Sequence, residues 1–142
     1  MSADTPGSLQ AKHVVTCFLL RNSSILLLKR SQHVSTFKGK WAAVSGYIEA
    51  DADRQSLVEI EEETGLLPTD ITLIKKGELI EVEDIQNGVR WVVHPYLYKV
   101  IKDKPVRINR EHDEFRWIKP AELGIFETVP GLSEALSSVL TI

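Results

Sequence analysis

Two apolar runs near the start of the chain predict a β-hairpin. Val14 to Leu20 and Ile25 to Lys29 are rich in β-branched and aliphatic residues, and the polar residues 21–24 between them are typical of a turn. Farther along, an Asn-Gly pair at positions 87 and 88 separates two more apolar stretches, which is a strong hairpin signal. The further strands predicted are around Ile71 to Glu83, over Val89 to Val100 and over Phe115 to Ile118.

Between these strands the apolar pattern becomes helical. Leu57 and Ile60 give the segment from Asp53 to Thr64 one apolar side. Asp51 or Asp53 can cap its start, and Gly65 stands where a left-handed residue ends a helix. A final helix is predicted over Ser133 to Leu140. The mixture predicts one α+β domain in which a helix packs on a mixed sheet.

Composition is that of an ordinary globular domain. Of the 142 residues, 43% are hydrophobic and 26% charged, which argues against disorder and low complexity. The first twelve residues are polar and predict a disordered arm over 1–12, followed by a single domain over 13–142.

Charge and cysteine content exclude several classes of protein. With 17 basic and 20 acidic residues the net charge is −3, so we expect no nucleic acid partner and no attraction to an anionic membrane. A single cysteine, Cys17, excludes an intramolecular disulfide and a thiolate zinc site, and its apolar neighbours predict a buried strand residue. No apolar run has the length of a membrane span. We therefore expect a cytoplasmic protein.

The acidic helix is the most informative stretch. Glu62 and Glu63 follow Glu59 by three and four positions, so the three carboxylates share one helix face. Such like-charge pairs destabilise an isolated helix by about 0.2–0.5 kcal/mol each. A hard divalent cation, Mg²⁺ or Mn²⁺, would offset that cost. A solvated acidic face explains the spacing as well.

The flanking residues favour the cation. The segment from Gly46 to Leu66 resembles the Nudix box, which reads Gly, five residues, Glu, seven residues, then Arg-Glu-aliphatic-any-Glu-Glu-any-Gly-aliphatic. Trp41 before Gly46 is similar to the approach to that box. The resemblance implies a Nudix-type α/β/α sandwich with a mixed β-sheet. The residues that match the second half of the box are Glu59, Ile60, Glu62, Glu63, Gly65 and Leu66.

Two positions depart from the box. The span from Gly46 to Glu59 is two residues shorter than the pattern. Ala52 stands where a Glu is expected, and Val58 stands where the pattern has the Arg that holds the neighbouring Glu. Valine cannot supply that charged hydrogen bond.

The resemblance implies a Mg²⁺-dependent (or Mn²⁺-dependent) pyrophosphohydrolase acting on a small phosphorylated substrate, a nucleoside diphosphate derivative or a related metabolite. It also implies that Glu59, Glu62 and Glu63 are both the catalytic residues and the metal ligands. Two alternatives stay open, namely a catalytically impaired module that binds a nucleotide or a protein, and an interaction domain without a ligand. A homodimer is possible, since members of the family often pair.

Several residues outside the acidic helix are further candidates. The general base is one of the three glutamates or a carboxylate from another loop, Glu111 or Asp113, and His112 between them is expected to be an exposed loop residue. Trp41 and Trp91 are expected to be core residues, with base stacking as the alternative. The residues expected to contact substrate are Arg30, Lys38 and Lys40, which precede Trp41, together with Gly46.

Overall fold

The computed structural model describes residues 9–140. Within this range, eight strands form one mixed sheet. The strands are β1 (Gln10–Arg21), β2 (Ser24–Arg30), β3 (Trp41–Ala42), β4 (Val44–Tyr47), β5 (Ile71–Lys76), β6 (Ile80–Asp84), β7 (Val89–Val100) and β8 (His112–Ile118). The helices are α1 (Ala52–Thr64) and α2 (Leu132–Leu140), with short 3₁₀ turns at Pro68–Asp70 and Pro120–Ile125.

The long strand β1 organises the sheet. It runs parallel to β7 from the Gln10–Val89 pair to the Leu20–Lys99 pair. On its other side it pairs antiparallel with β4 and, through the hairpin, with β2. Strands β3 and β8 extend the sheet beyond β2, while β5 and β6 both pair antiparallel with β7.

The two helices cover opposite faces of this sheet. Alternate residues of β1 point to opposite faces, so Cys17 packs in the core that contains Ile60 of α1, and Phe18 packs in the core that contains Leu136 of α2. The predicted α/β/α sandwich with a mixed sheet is confirmed, and so is the burial of Cys17, which is 1% exposed. Among the described residues, neither helix is long and apolar enough to cross a membrane.

Helix α1 has the ends that its sequence predicts. The Asp51 side chain accepts a hydrogen bond from the Asp53 amide at 2.9 Å, and Gly65 closes the helix with a φ of 79°. A residue with a Cβ adopts that left-handed conformation only at a cost, which explains the glycine.

Several strand boundaries differ from the prediction, and the stretch around Ile71 to Glu83 forms two strands, β5 and β6. Residues 10–12, assigned to the arm, begin β1, because they pair with 89–91 of β7 although they lack an apolar pattern. Residues 1–8 of the predicted arm lie outside the described range. Strand β8 starts at His112 rather than Phe115, because Arg30 and Lys29 of β2 pair with His112 and Glu114.

Candidate active site

A cavity of about 430 Å³ lies where β1, β4 and β7 meet the loop that follows β2. Two groups of side chains in its lining have distinct chemistry. The carboxylate cluster consists of Glu59 and Glu62 from α1 and Glu111, with Arg30 beside them. The aromatic cluster consists of Phe37, Tyr47 and Trp91.

Gly46 makes room for the first of these carboxylates. A Cβ atom at Gly46 would lie 2.1 Å from Cδ of Glu59, so any other residue would collide with the carboxyl group. The absence of a side chain on β4 therefore lets Glu59 lie against the strand. Gly46 itself also lines the cavity.

One hydrogen-bond partner of Glu59 is Gln55. The Gln55 side-chain amide donates to Oε2 of Glu59 at 2.8 Å, and its carbonyl oxygen accepts from the Glu49 amide at 3.2 Å. Gln55 thus supplies a hydrogen bond to Glu59 that Val58 cannot supply. The Val58 side chain is 42% exposed. Sequence reasoning missed Gln55, although it precedes Glu59 by four positions, the spacing at which helix side chains meet.

Glu63 points into the protein rather than toward the cavity. Its side chain is 1% exposed, and Oε1 accepts a hydrogen bond from the Ser45 amide at 3.4 Å. Oε2 is buried without a hydrogen-bond donor. Burial, followed by the hydrogen bond to Glu59 and its charge, raises the pKa of Glu63 well above its ordinary value. The surroundings of Glu63 therefore disfavour its charged form.

His112 faces this glutamate. It is 5% exposed, and its Nε2 atom lies 3.8 Å from Oε1 of Glu63, so the prediction of an exposed loop histidine is wrong. The reason is tertiary, because pairing of β8 with β2 carries a locally polar segment into the interior. Burial lowers the pKa of His112 to about 4, so the ring is neutral near pH 7.

The side chains fit a divalent cation in their chemistry. Glu59, Glu62 and Glu111 offer the hard oxygen donors that Mg²⁺ and Mn²⁺ prefer, and Oε2 of Glu63 lacks a partner. Across residues 9–140, however, no three His, Cys, Asp or Glu side chains lie close enough together to hold a metal ion. The structure brings Glu59 and Glu62 to the cavity but does not gather Glu63 with them into one ligand set.

The Glu111 carboxylate is placed by a loop tied to α1. Asn109 donates from Nδ2 to the Glu62 carbonyl at 3.0 Å and accepts at Oδ1 from the Glu111 amide at 3.0 Å. The Ser31 amide donates to the Glu111 carbonyl at 2.8 Å, which fixes the other side. Asp113, the other candidate base, is exposed on β8 and does not line the cavity.

Of the three basic residues predicted to contact substrate, only Arg30 lines the cavity. Arg30 lines the cavity and holds the loop above it, donating from Nε to the Thr36 carbonyl at 2.9 Å. Lys38 is exposed and lies outside the lining. Lys40 also lies outside it and forms an ion pair with Glu127 at 2.9 Å.

The two candidate tryptophans also differ in location, since Trp41 lies in the core and Trp91 lines the cavity. Trp41 is 9% exposed and packs edge-on against Phe126 in the α2 core, as expected. Trp91 is partly buried and lines the cavity. The residues next to Trp91 in the sequence do not predict that it lines the cavity, because this location depends on the pairing of β7 with β1.

Comparison with known proteins agrees with this fold. The family model for the NUDIX domain matches residues 11–138. The nucleoside triphosphatase NudI of Escherichia coli O139:H28 is 28% identical over 120 residues, which is 79% of this chain and 85% of the relative. NudI of Salmonella newport is 27% identical over 124 residues, with 82% and 88% covered.

Solved structures show the same fold. An Ap4A hydrolase from C. elegans superposes with a TM-score of 0.73 at 16% identity, with 92% of this chain and 94% of that chain covered. A MutT Nudix hydrolase from Burkholderia pseudomallei gives 0.70 at 23% identity, with 92% and 98% covered. The chain therefore belongs to the Nudix hydrolase family, and the predicted enzyme class, a Nudix pyrophosphohydrolase, is confirmed.

Proposed function

We propose that this chain is a divalent-cation-dependent hydrolase that cleaves a pyrophosphate bond in a nucleotide derivative bound in the cavity. The observation that carries the proposal is the convergence of Glu59, Glu62 and Glu111 with Arg30 on one cavity lining. Carboxylates suit a cation, and a guanidinium suits phosphate, so the lining pairs the two charges that a bound diphosphate requires. The relatives named nucleoside triphosphatase support a nucleotide substrate.

The residues have separate roles in this proposal. Glu59 and Glu62 would hold Mg²⁺ or Mn²⁺, which would neutralise charge on the phosphate oxygens when bound. Arg30 would bind a phosphate group with a charged hydrogen bond. Glu111 would accept a proton from the attacking water, because it lines the same cavity and Asn109 fixes its backbone.

Phosphate release from a substrate panel tests the reaction. The panel contains nucleoside triphosphates, nucleoside diphosphate sugars and dinucleoside polyphosphates, each with Mg²⁺, with Mn²⁺ and with EDTA. We expect turnover of at least one member with a metal and none with EDTA. No turnover of any member with either metal contradicts the proposal.

Glu62→Gln and Glu61→Gln form a matched pair for the site. Both side chains are exposed glutamates on α1, but only Glu62 lines the cavity. We expect a loss of about 10- to 100-fold in kcat/KM for Glu62→Gln and a change below about twofold for Glu61→Gln. Equal activity of the two variants contradicts the assignment of Glu62.

A second function, binding without useful turnover, has its own supporting observation. Glu63 is buried, and Glu59 is held by the neutral amide of Gln55 instead of by the arginine of the box. This candidate predicts that nucleotides bind with a measurable Kd while the panel yields no phosphate. Calorimetry beside the release assay distinguishes the two functions.

A further inference from the structure

The aromatic cluster gives the cavity an apolar surface of three mutually tilted rings beside its carboxylates. The ring of Trp91 lies 6.4 Å from the ring of Phe37 and 6.1 Å from that of Tyr47, centroid to centroid. Val14 and Val93, which also line the cavity, pair in register on β1 and β7 beside these rings. An apolar surface does not stabilise a charged pyrophosphate group. The aromatic cluster therefore suits an uncharged part of the substrate.

Trp91 is held in a fixed orientation. Its indole Nε1 donates to Oδ2 of Asp84 at 3.1 Å. Asp84 is itself fixed, because Asn87 donates to it from its backbone amide at 3.2 Å and from Nδ2 at 2.7 Å. The turn between β6 and β7 therefore positions the indole ring, and its one polar group is already satisfied.

Phe37 is brought to the same place by an unusual backbone. Its φ of 53° lies in the left-handed region, which residues with a Cβ rarely adopt. Such strain persists where the surrounding structure requires it and is concentrated at binding sites. The neighbouring residue Thr36 is held by Arg30, so the loop that carries Phe37 is tied to the carboxylate cluster.

We propose that a planar aromatic group of the substrate, a nucleobase, stacks on Trp91, and that Asp84 is the positioning residue for that ring. The idea rests on the proposed function for the identity of the phosphate-bearing substrate. It goes beyond it by assigning the base to named residues. Stacking on an aromatic side chain tolerates any base, so all four bases bind with similar strength.

Calorimetry with nucleoside 5′-monophosphates and ribose 5-phosphate tests the proposal without requiring turnover. The two kinds of probe share a sugar phosphate and differ in the base. The wild-type protein is expected to bind AMP, GMP, CMP and UMP at least about fivefold more tightly than ribose 5-phosphate. Equal affinity for ribose 5-phosphate overturns the proposal, whatever the variants do.

Variants then assign the base contact to Trp91. Trp91→Leu is expected to weaken the four monophosphates by about 5- to 100-fold and to leave ribose 5-phosphate within twofold. Trp91→Phe, which keeps a ring, should retain most of the affinity. The control is Trp117→Phe, since Trp117 lies outside the cavity under Arg21, with the guanidinium 4.8 Å from its ring. Unchanged monophosphate binding in Trp91→Leu overturns the proposal.

A second set of variants in the same binding assay tests Asp84. Asp84→Ala should weaken the monophosphates but not ribose 5-phosphate, and Asp84→Asn should restore binding because its side-chain oxygen still accepts from the indole. Glu83→Ala, an exposed acidic neighbour, is the control. Loss of binding to both kinds of probe in Asp84→Ala contradicts the positioning role. Base-dependent binding without phosphate release from any panel member would keep this proposal and reject only the hydrolysis.

Discussion

The two helices of the sandwich are attached to the sheet by different physics. Helix α2 buries Leu132, Ala135, Leu136 and Val139, all apolar. Helix α1 buries Ser56, Ile60, Glu63 and Thr64, of which only Ile60 is apolar. Apolar burial fixes how deep a helix sits but is non-directional. Hydrogen bonds fix its rotation and position along the sheet, and α1 is the helix that carries the carboxylates.

The hydrogen bonds of α1 start from its first turn. Ser56 Oγ donates to the Asp53 carbonyl at 2.6 Å and so accepts from the hydroxyl of Tyr98, also at 2.6 Å. Asp53 accepts from the hydroxyl of Tyr96 at 2.5 Å and pairs with Lys76 at 2.8 Å. Two tyrosines of β7 thus fix the position of α1, the helix that carries Glu59 and Glu62, along the sheet. The helix that carries the site is therefore aligned by polar contacts with β7, whereas the side chains that α2 buries are apolar.

The largest effect is expected on α2. Leu136→Ala removes a side chain that is 4% exposed and leaves a cavity in the core, at a cost of about 2–5 kcal/mol in the free energy of unfolding. Urea denaturation measures the loss. In the protein that remains folded, kcat should stay within about twofold, because α2 does not position the carboxylates. A large fall in kcat would erase the contrast between the helices.

A smaller effect on stability is expected at the α1 contact. Ser56→Ala leaves the Tyr98 hydroxyl buried without its acceptor and should cost about 1–3 kcal/mol. Tyr98→Phe in the same protein removes that unsatisfied group, so the double variant should be more stable than the sum of the single losses predicts. Here, in contrast to Leu136→Ala, we expect kcat to fall as well. Additive losses in a double-mutant cycle would mean that the two hydroxyls do not interact.

The Asp53 ion pair gives a pH-dependent test of the same contact. Hydrogen bonds from Lys76 and then Tyr96 lower the pKa of Asp53. A lowered pKa means that the stabilisation is present above the unfolded value, about 3.9, and is lost as the pH falls through the folded value. Because the pair is exposed, its contribution is on the order of 1 kcal/mol or less. The difference in Tm between wild type and Asp53→Asn should therefore shrink below about pH 4, and a constant difference would contradict it.

The smallest effect on stability is expected for Val58→Arg. The position is 42% exposed, so the free energy of unfolding should change by less than about 0.5 kcal/mol. A guanidinium would offer Glu59 a donor of opposite charge, which the Gln55 amide does not supply. We expect a several-fold rise in hydrolysis rate. An unchanged rate with an unchanged Tm would show that Gln55 already orients Glu59 fully.

Local signals in the sequence predicted much of the fold. The caps Asp51 and Gly65 and the Asn-Gly turn act within a few residues, so they are readable along the chain. The predicted α1 differs from the observed one by a single residue at its start. The strand over Val89 to Val100 matches fully.

The parts of the site that depend on tertiary pairing were not readable. His112 sits in the polar run Arg-Glu-His-Asp-Glu and becomes buried only because β8 joins β2. Trp91 reaches the cavity because β7 lies beside β1, and Lys40 leaves it because Glu127 is near. Each outcome depends on a partner more than 70 positions away in the chain.

The parallel pairing of β1 with β7 also sets a schedule for synthesis. Residue 10 pairs with residue 89, so the central strand of the sheet lacks its neighbour until about 80 more residues have been made. At about 5–20 residues per second, that interval lasts roughly 4–16 s. During it the run Phe18-Leu19-Leu20 lacks residues 97–99 of β7, with which it pairs in the finished sheet. Ribosome-bound chains that end before β7 should therefore expose this run and bind chaperones, and chains that extend past Val100 should release them.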